Sequence, residues 1–207
     1  MKHIILLHGF LSSGKSSKAT FLHEKFEAMP NVHFHSFDFN PTPKDFEYMT
    51  TSGMINRLRQ HILDRKIEAC TLVGSSMGGL VALNYAHRFG GVTQLVLMAP
   101  LLAYFEGSRD NETAVSADPA TVERVQHFGF DRLLPLRAEI DSDGLLYKNR
   151  VPPAAPTTIV HGRFDDIIFI RQSQTYAAQY PKQVQLLEVD SDHRLSDQHE
   201  LMWKMIQ

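Results

Sequence analysis

The chain predicts an α/β fold: a mainly parallel sheet of about six strands flanked by helices. Short β-type runs alternate with helix-type segments along most of its 207 residues, and such alternation joins parallel strands through right-handed crossovers. The pentapeptide Gly74-Ser75-Ser76-Met77-Gly78 stands between an apolar run and a helix-like segment, where a strand would turn sharply into a helix. The length fits one domain with a sizeable core.

The first strand is expected over His3–His8, followed by a helix from Ser17 to Met29 with Ala19, Leu22, Phe26 and Met29 on one face. Val32–Phe37 reads as the second strand, and Thr51–Arg65 as a helix with Met54, Leu58 and Ile62 on its apolar face. Cys70–Gly74 forms the strand before the pentapeptide, and the small and apolar residues from Met77 to Arg88 suit a buried helix. Gln94–Met98, Thr157–His161 and Val184–Val189 complete the strands; Arg171–Gln179 and Gln198–Ile206 complete the helices. Asp197 with Glu200 predicts a capping box for the last helix. Residues 101–156 break the rhythm with a polar tract, Gly107 to Thr113, and end in Pro152-Pro153-Ala154-Ala155-Pro156, a stiff connector. Asp118-Pro119 predicts the start of a short helix reaching about Phe128. So long an excursion between core strands reads as a lid or cap inserted within one domain spanning 1–207.

A net charge of -2 gives no electrostatic reason to expect nucleic acid or an anionic membrane as partner. No run reaches the length of a membrane span, and Ile4–Leu7 is too short for a secretory h-region. One cysteine, Cys70, cannot form an internal disulfide and is expected to be a small buried hydrophobe. A soluble cytoplasmic protein of unspecified oligomeric state is the expectation. His33 and His35 would share a strand face, but no carboxylate or cysteine accompanies them, so no metal site is expected.

A serine hydroxyl needs a base in hydrogen-bond reach, itself oriented by a carboxylate. At a nucleophile elbow the chain order is Ser, Asp or Glu, then His. Ser76 is followed by two strand ends that supply them: Gly162-Arg163-Phe164-Asp165-Asp166 and Asp190-Ser191-Asp192-His193. His193 is the expected base, ahead of His199 within the last helix. Asp165 is preferred as the acid over its neighbour Asp166. The N–H groups of Met77 and Phe10 are the expected oxyanion donors. Leu11, Leu101, Tyr104, Phe128 and Phe130 are expected to contact substrate, with Phe105 and Leu102 in the same apolar set.

Gly9-Phe10-Leu11-Ser12-Ser13-Gly14-Lys15-Ser16 also satisfies the P-loop pattern, between a strand and a helix. It implies a nucleotide-binding protein. Against it, Leu95–Met98 ends at Ala99-Pro100 rather than at a magnesium-binding Asp, and Asp38 follows a strand broken by His33, His35 and Ser36. That reading also leaves Ser76, Asp165 and His193 unexplained.

The stretches His8-Gly9-Phe10-x-Ser12-Ser13-x-x-Ser16-x-Lys18-Ala19 and Gly74-Ser75-Ser76-Met77-Gly78-Gly79 resemble the α/β-hydrolase superfamily, and more narrowly the small YqiA-like bacterial esterases. His161-Gly162-Arg163-Phe164-Asp165 resembles the superfamily's acid loop. The resemblance implies the α/β-hydrolase fold and ester hydrolysis without a metal or organic cofactor. The expected function is a carboxylesterase acting on small-molecule esters of short or medium acyl chains through an acyl-enzyme on Ser76. A thioesterase with the same triad and a non-catalytic binding protein on the same fold are the alternatives.

Overall fold

The computed structural model describes residues 1–104 and 121–207. The polar tract 107–113, Phe105 and the Asp118-Pro119 helix start therefore lie outside the described residues. In chain order the elements are β1 (Lys2–Leu7), α1 (Ser17–Glu27), β2 (Val32–Phe37), α2 (Pro43–Glu47), α3 (Thr51–Asp64), β3 (Cys70–Ser75), α4 (Met77–Phe89) and β4 (Val92–Met98). They continue with β5 (Val122–His127), β6 (Arg132–Arg137), α5 (Glu139–Gly144), a 3₁₀ turn (Leu145–Tyr147), β7 (Thr157–Gly162), α6 (Arg171–Gln179), β8 (Val184–Val189) and α7 (His199–Ile206).

The main sheet has six strands in the order β2-β1-β3-β4-β7-β8, every adjacent pair parallel. Its central strands are buried on both faces, so they read as continuous apolar runs rather than alternating ones. Side-chain parity divides the core. Ile5, Leu7, Leu72, Leu95, Leu97 and Ile159 face α3, α4 and Tyr176 of α6. Their neighbours Ile4, Leu6, Val73, Val96, Met98 and Val160 face α1 and α7. Strand order reverses between β1 and β3, because β2 lies outside β1 while the chain proceeds the other way. Loops leaving the carboxyl ends of these strands open a crevice there.

The excursion between β4 and β7 contains a β-hairpin where the sequence predicts a helix reaching Phe128. β5 pairs antiparallel with β6, Val122 opposite Arg137 and His127 opposite Arg132. The turn Phe128–Asp131, with Asp131 at φ 50°, makes the hairpin. The spacing Val122-x-x-Val125 suits a helix face, and only the partner strand Leu133-Leu134-Pro135-Leu136 decides for a hairpin. Leu134, Leu136, Ile140 and Tyr147 anchor the insertion in the core layer that holds Ile5 and Leu7.

One local prediction also changes. The capping box at α7 is absent: its N-cap is Gln198, and the Asp197 carboxylate instead accepts from the Ser191 hydroxyl at 2.5 Å. A capping box does form at α2, where Thr42 and Asp45 cap each other's backbone N–H groups. On β1, β2 and α3, His35 lies between His3 (3.1 Å) and His61 (3.3 Å), ring nitrogen to ring nitrogen. Among the described residues no three His, Cys, Asp or Glu side chains are arranged to hold a metal ion, and no helix is long and apolar enough to cross a membrane.

Candidate active site

Ser76 occupies the turn between β3 and α4 at φ 52°, ψ -117°, a positive-φ conformation that costs a residue with a Cβ and persists only when its surroundings impose it. They do so through the backbone. Ser76 N–H donates to the Met98 carbonyl at 3.0 Å, and its own carbonyl accepts from Gly79 at 2.8 Å and Leu101 at 3.0 Å. A Cβ on Gly78 would lie 2.2 Å from the Leu7 carbonyl oxygen, and one on Gly74 would lie 2.6 Å from the Gly78 oxygen. Both positions therefore require glycine, and β1, β3 and α4 meet there main chain to main chain. Although Ser76 is the N-cap of α4, its hydroxyl caps no helix N–H. It is free for another partner.

That partner is His193, in the loop after β8, whose Nε2 lies 3.1 Å from Ser76 Oγ. His193 Nδ1 lies 2.8 Å from Asp165 Oδ2, in the loop after β7. A carboxylate only accepts, so Nδ1 carries the proton and Nε2 presents its lone pair to the serine. Asp165 is buried, and its other oxygen accepts from the N–H groups of Ile167 (3.0 Å) and Ile168 (2.8 Å). Burial pushes this carboxyl up, but hydrogen bonds from His161, His193 and the Ile168 amide outweigh it and hold Asp165 well below the ordinary carboxylate range. Asp166 is exposed. His199 lies in α7 with its ring 5.2 Å from that of Phe21, away from the serine.

Two histidines beyond the expected set brace this arrangement. His161, fully buried at the end of β7, places Nε2 3.0 Å from Asp165 Oδ2 and 2.8 Å from the Ile168 carbonyl. Both are acceptors, so Nε2 bears the proton while Nδ1 accepts from the Ser173 hydroxyl at 2.8 Å. His8 donates from Nδ1 to the Gly9 carbonyl (2.8 Å), and its Nε2 lies 3.1 Å from the Phe39 amide nitrogen and 3.3 Å from Asp38 Oδ1. That carbonyl shares a peptide group with the Phe10 N–H, so His8 fixes the orientation of this peptide. In sequence each is a polar residue ending an apolar strand, inside a stretch that carries the family resemblance.

A cavity of about 680 Å³ opens over Ser76 and His193, with Phe10, Leu11, Phe128 and Ile167 among its apolar walls. The tip of the β5–β6 hairpin reaches it: Phe128 N–H donates to the Leu11 carbonyl at 3.1 Å. Leu101, Tyr104 and Phe130 do not line this cavity. Leu101 and Phe130 pack against the core, and Tyr104 is buried with its hydroxyl 3.2 Å from Asp141. The P-loop-like segment has its amides engaged from within. Gly14 N–H donates to Asp38 Oδ2 at 3.1 Å, and Lys15 N–H to Ser13 Oγ at 3.2 Å, so a carboxylate stands where a phosphate-cradling loop needs room for phosphate.

Fold and site define the class: this is an α/β-hydrolase fold, with its strand-turn-helix elbow at the expected place. Residues 3–207 match the family described as "Uncharacterised protein family (UPF0227)". The chain belongs to that family, the YqiA-like one its motifs resemble. Solved structures of the same fold include alpha/beta hydrolase domain-containing protein 10 from mouse, with a TM-score of 0.73 at 18% identity over 98% of this chain and 87% of that one. A monoacylglycerol lipase from Paleococcus ferrophilus gives 0.73 at 15% identity over 99% and 93%. Est1E from Butyrivibrio proteoclasticus gives 0.69 at 16% identity over 99% and 85%. A comparison with curated protein sequences finds no match.

Proposed function

We propose that the protein is a serine hydrolase that cleaves carboxylic esters of short or medium acyl chains. The observation that carries this reading is the hydrogen-bonded series Ser76–His193–Asp165, ending on a serine in a strained elbow at the floor of a cavity. In the proposed mechanism His193 Nε2 takes the hydroxyl proton as Ser76 Oγ attacks the ester carbonyl. The carbonyl oxygen becomes an oxyanion, held by the N–H groups of Phe10 and Met77. Collapse breaks the ester C–O bond, and His193 returns its proton to the departing alcohol. Water then attacks the acyl-enzyme with His193 again as base, and Ser76 leaves protonated. Asp165 stabilises the imidazolium throughout. The hairpin tip, with Phe128 over the cavity, serves as a partial lid within a single domain.

A fluorophosphonate probe tests this directly. Ser76 should be labelled and Ser75 should not, and Ser76→Ala should lower kcat on chromogenic acyl esters by at least about 10⁴-fold with the fold intact. Labelling that survives Ser76→Ala would remove Ser76 from the mechanism. Absence of both labelling and turnover in the wild type would favour a binding protein on this fold. Matched oxygen esters and thioesters in the same assay rank the two acyl classes.

A further inference from the structure

Part of the lining of the cavity over Ser76 has no task in ester cleavage by itself. Lys15, Lys18 and Arg194 line the cavity together with the serine and His193, and among the described residues no carboxylate does. This concentration of positive charge contrasts with a chain whose net charge is -2. Lys18 reaches from α1 to the catalytic loop: its ammonium donates to the carbonyl of Arg194, the residue after His193, at 2.5 Å. A neutral carbonyl is its only hydrogen-bond partner among the described residues. Burial draws the Lys18 ammonium down to about 8, with the Asp192 charge opposing. The Asp192 carboxylate is itself engaged by the N–H groups of Arg194 and Leu195. The Arg194 guanidinium lies 5.7 Å from the ring centre of Phe128, so a cation adjoins the apolar wall.

From this arrangement we propose that the substrate is an amphiphilic ester bearing an anionic group, phosphate or carboxylate, which Lys15, Lys18 and Arg194 hold while Ser76 attacks. The inference rests on the acyl-transfer reading of Ser76 and adds the class of substrate. Lys18 is half-buried, and the carboxylate whose charge acts on it, Asp192, is already engaged by two amides, so a ligand anion adds a charge-assisted partner. Fixing a remote anion also orients the ester carbonyl against the nucleophile. The segment matching a P-loop pattern thus faces an anion site through its side chains, while its amides are spent on Asp38 and Ser13.

The test compares kcat/KM for four esters: p-nitrophenyl butyrate (neutral), mono-p-nitrophenyl glutarate (anion on the acyl side), and the butyryl esters of 4-hydroxybenzoate and of 3-hydroxypropyl phosphate (anion on the leaving side). The last three separate acyl from leaving side and carboxylate from phosphate. For at least one anionic ester, the ratio to the neutral ester should fall about tenfold or more in Lys18→Gln/Arg194→Gln, the effect of losing a charge-assisted hydrogen bond. The same wild-type ratio should fall as salt rises from about 0.05 M to about 0.5 M. Ratios unchanged by the double substitution for all three would overturn the proposal. Calorimetry on Ser76→Ala with the phosphate and carboxylate esters reads binding without turnover. Binding there that the double substitution abolishes upholds the anion site even if the wild type hydrolyses nothing; no binding at millimolar concentration to either ester counts against it. Turnover of the neutral ester alone would leave the hydrolase reading standing and defeat this one.

Discussion

Asp165 and Asp166 are chemically identical neighbours, and their environments divide the work between them. Asp165 has one oxygen on two backbone amides and the other on two imidazoles, in a site closed to water. Asp166 faces solvent. Asp165→Asn should therefore cost about 10³–10⁴-fold in kcat, through the wrong histidine tautomer and an unstabilised imidazolium. Asp166→Asn should cost only a few-fold, as surface substitutions do. The reverse ranking in steady-state kinetics would move the acid by one residue. At this scale the serine and histidine were legible because the chemistry demands those residue types in that chain order at strand ends. The choice of aspartate was a preference only, since it turns on which side chain the loop folds inward.

The β5–β6 hairpin divides its two phenylalanines between distinct tasks. Phe128 is 63% exposed and borders the cavity, whereas Phe130 packs on the core with its ring 4.8 Å from His127. Phe128→Ala should shift the ratio of kcat/KM between butyrate and octanoate esters while changing stability by less than about 0.5 kcal/mol. Phe130→Ala should cost about 2 kcal/mol, below the range for a fully buried aromatic, and should leave the chain-length profile nearer to wild type. Acyl-length profiles and urea unfolding of both variants check this, and matching behaviour would dissolve the division. The six sheet strands and the longer helices between them could be read because each carries its own period and its own breakers, whereas the five-residue α2 is too short to show one. The hairpin could not, since its short first run fits a helix face as well as a strand until a partner strand is known. Leu101, Tyr104 and Phe130 were equally ambiguous: an apolar residue looks the same in sequence whether it walls a cavity or fills a core.

For the whole molecule, the histidine ladder across β1, β2 and α3 links stability to pH. His35 is drawn down to about 4 by burial first, then by the charges of His61, His3, Arg65 and His33; His61 is drawn to about 4 by burial and then Arg65, with Asp64 opposing. Their ordinary value is 6.5, so between about 6.5 and about 4 the unfolded chain binds protons that the folded chain refuses. The stability they support is present above about 6.5 and is lost as pH falls toward 4. Urea midpoints should drop from about pH 7.5 to about pH 5, and His35→Gln should flatten that drop. Parallel slopes for the two proteins would show that the ladder is not responsible. The sequence placed His33 and His35 on one strand, but the cross-strand and helix partners His3 and His61 emerge only from strand order and register.

The clash that forbids a Cβ at Gly78 has a meaning beyond local geometry. β1 delivers Phe10 and α4 begins with Met77, and these two segments touch through main-chain atoms at that point. The spacing of the two proposed oxyanion donors is thus written in backbone, while the walls that meet the rest of the substrate are written in side chains. The two can evolve separately. Substitutions along the cavity can change what fits there without disturbing the backbone that sets the spacing of the proposed donors.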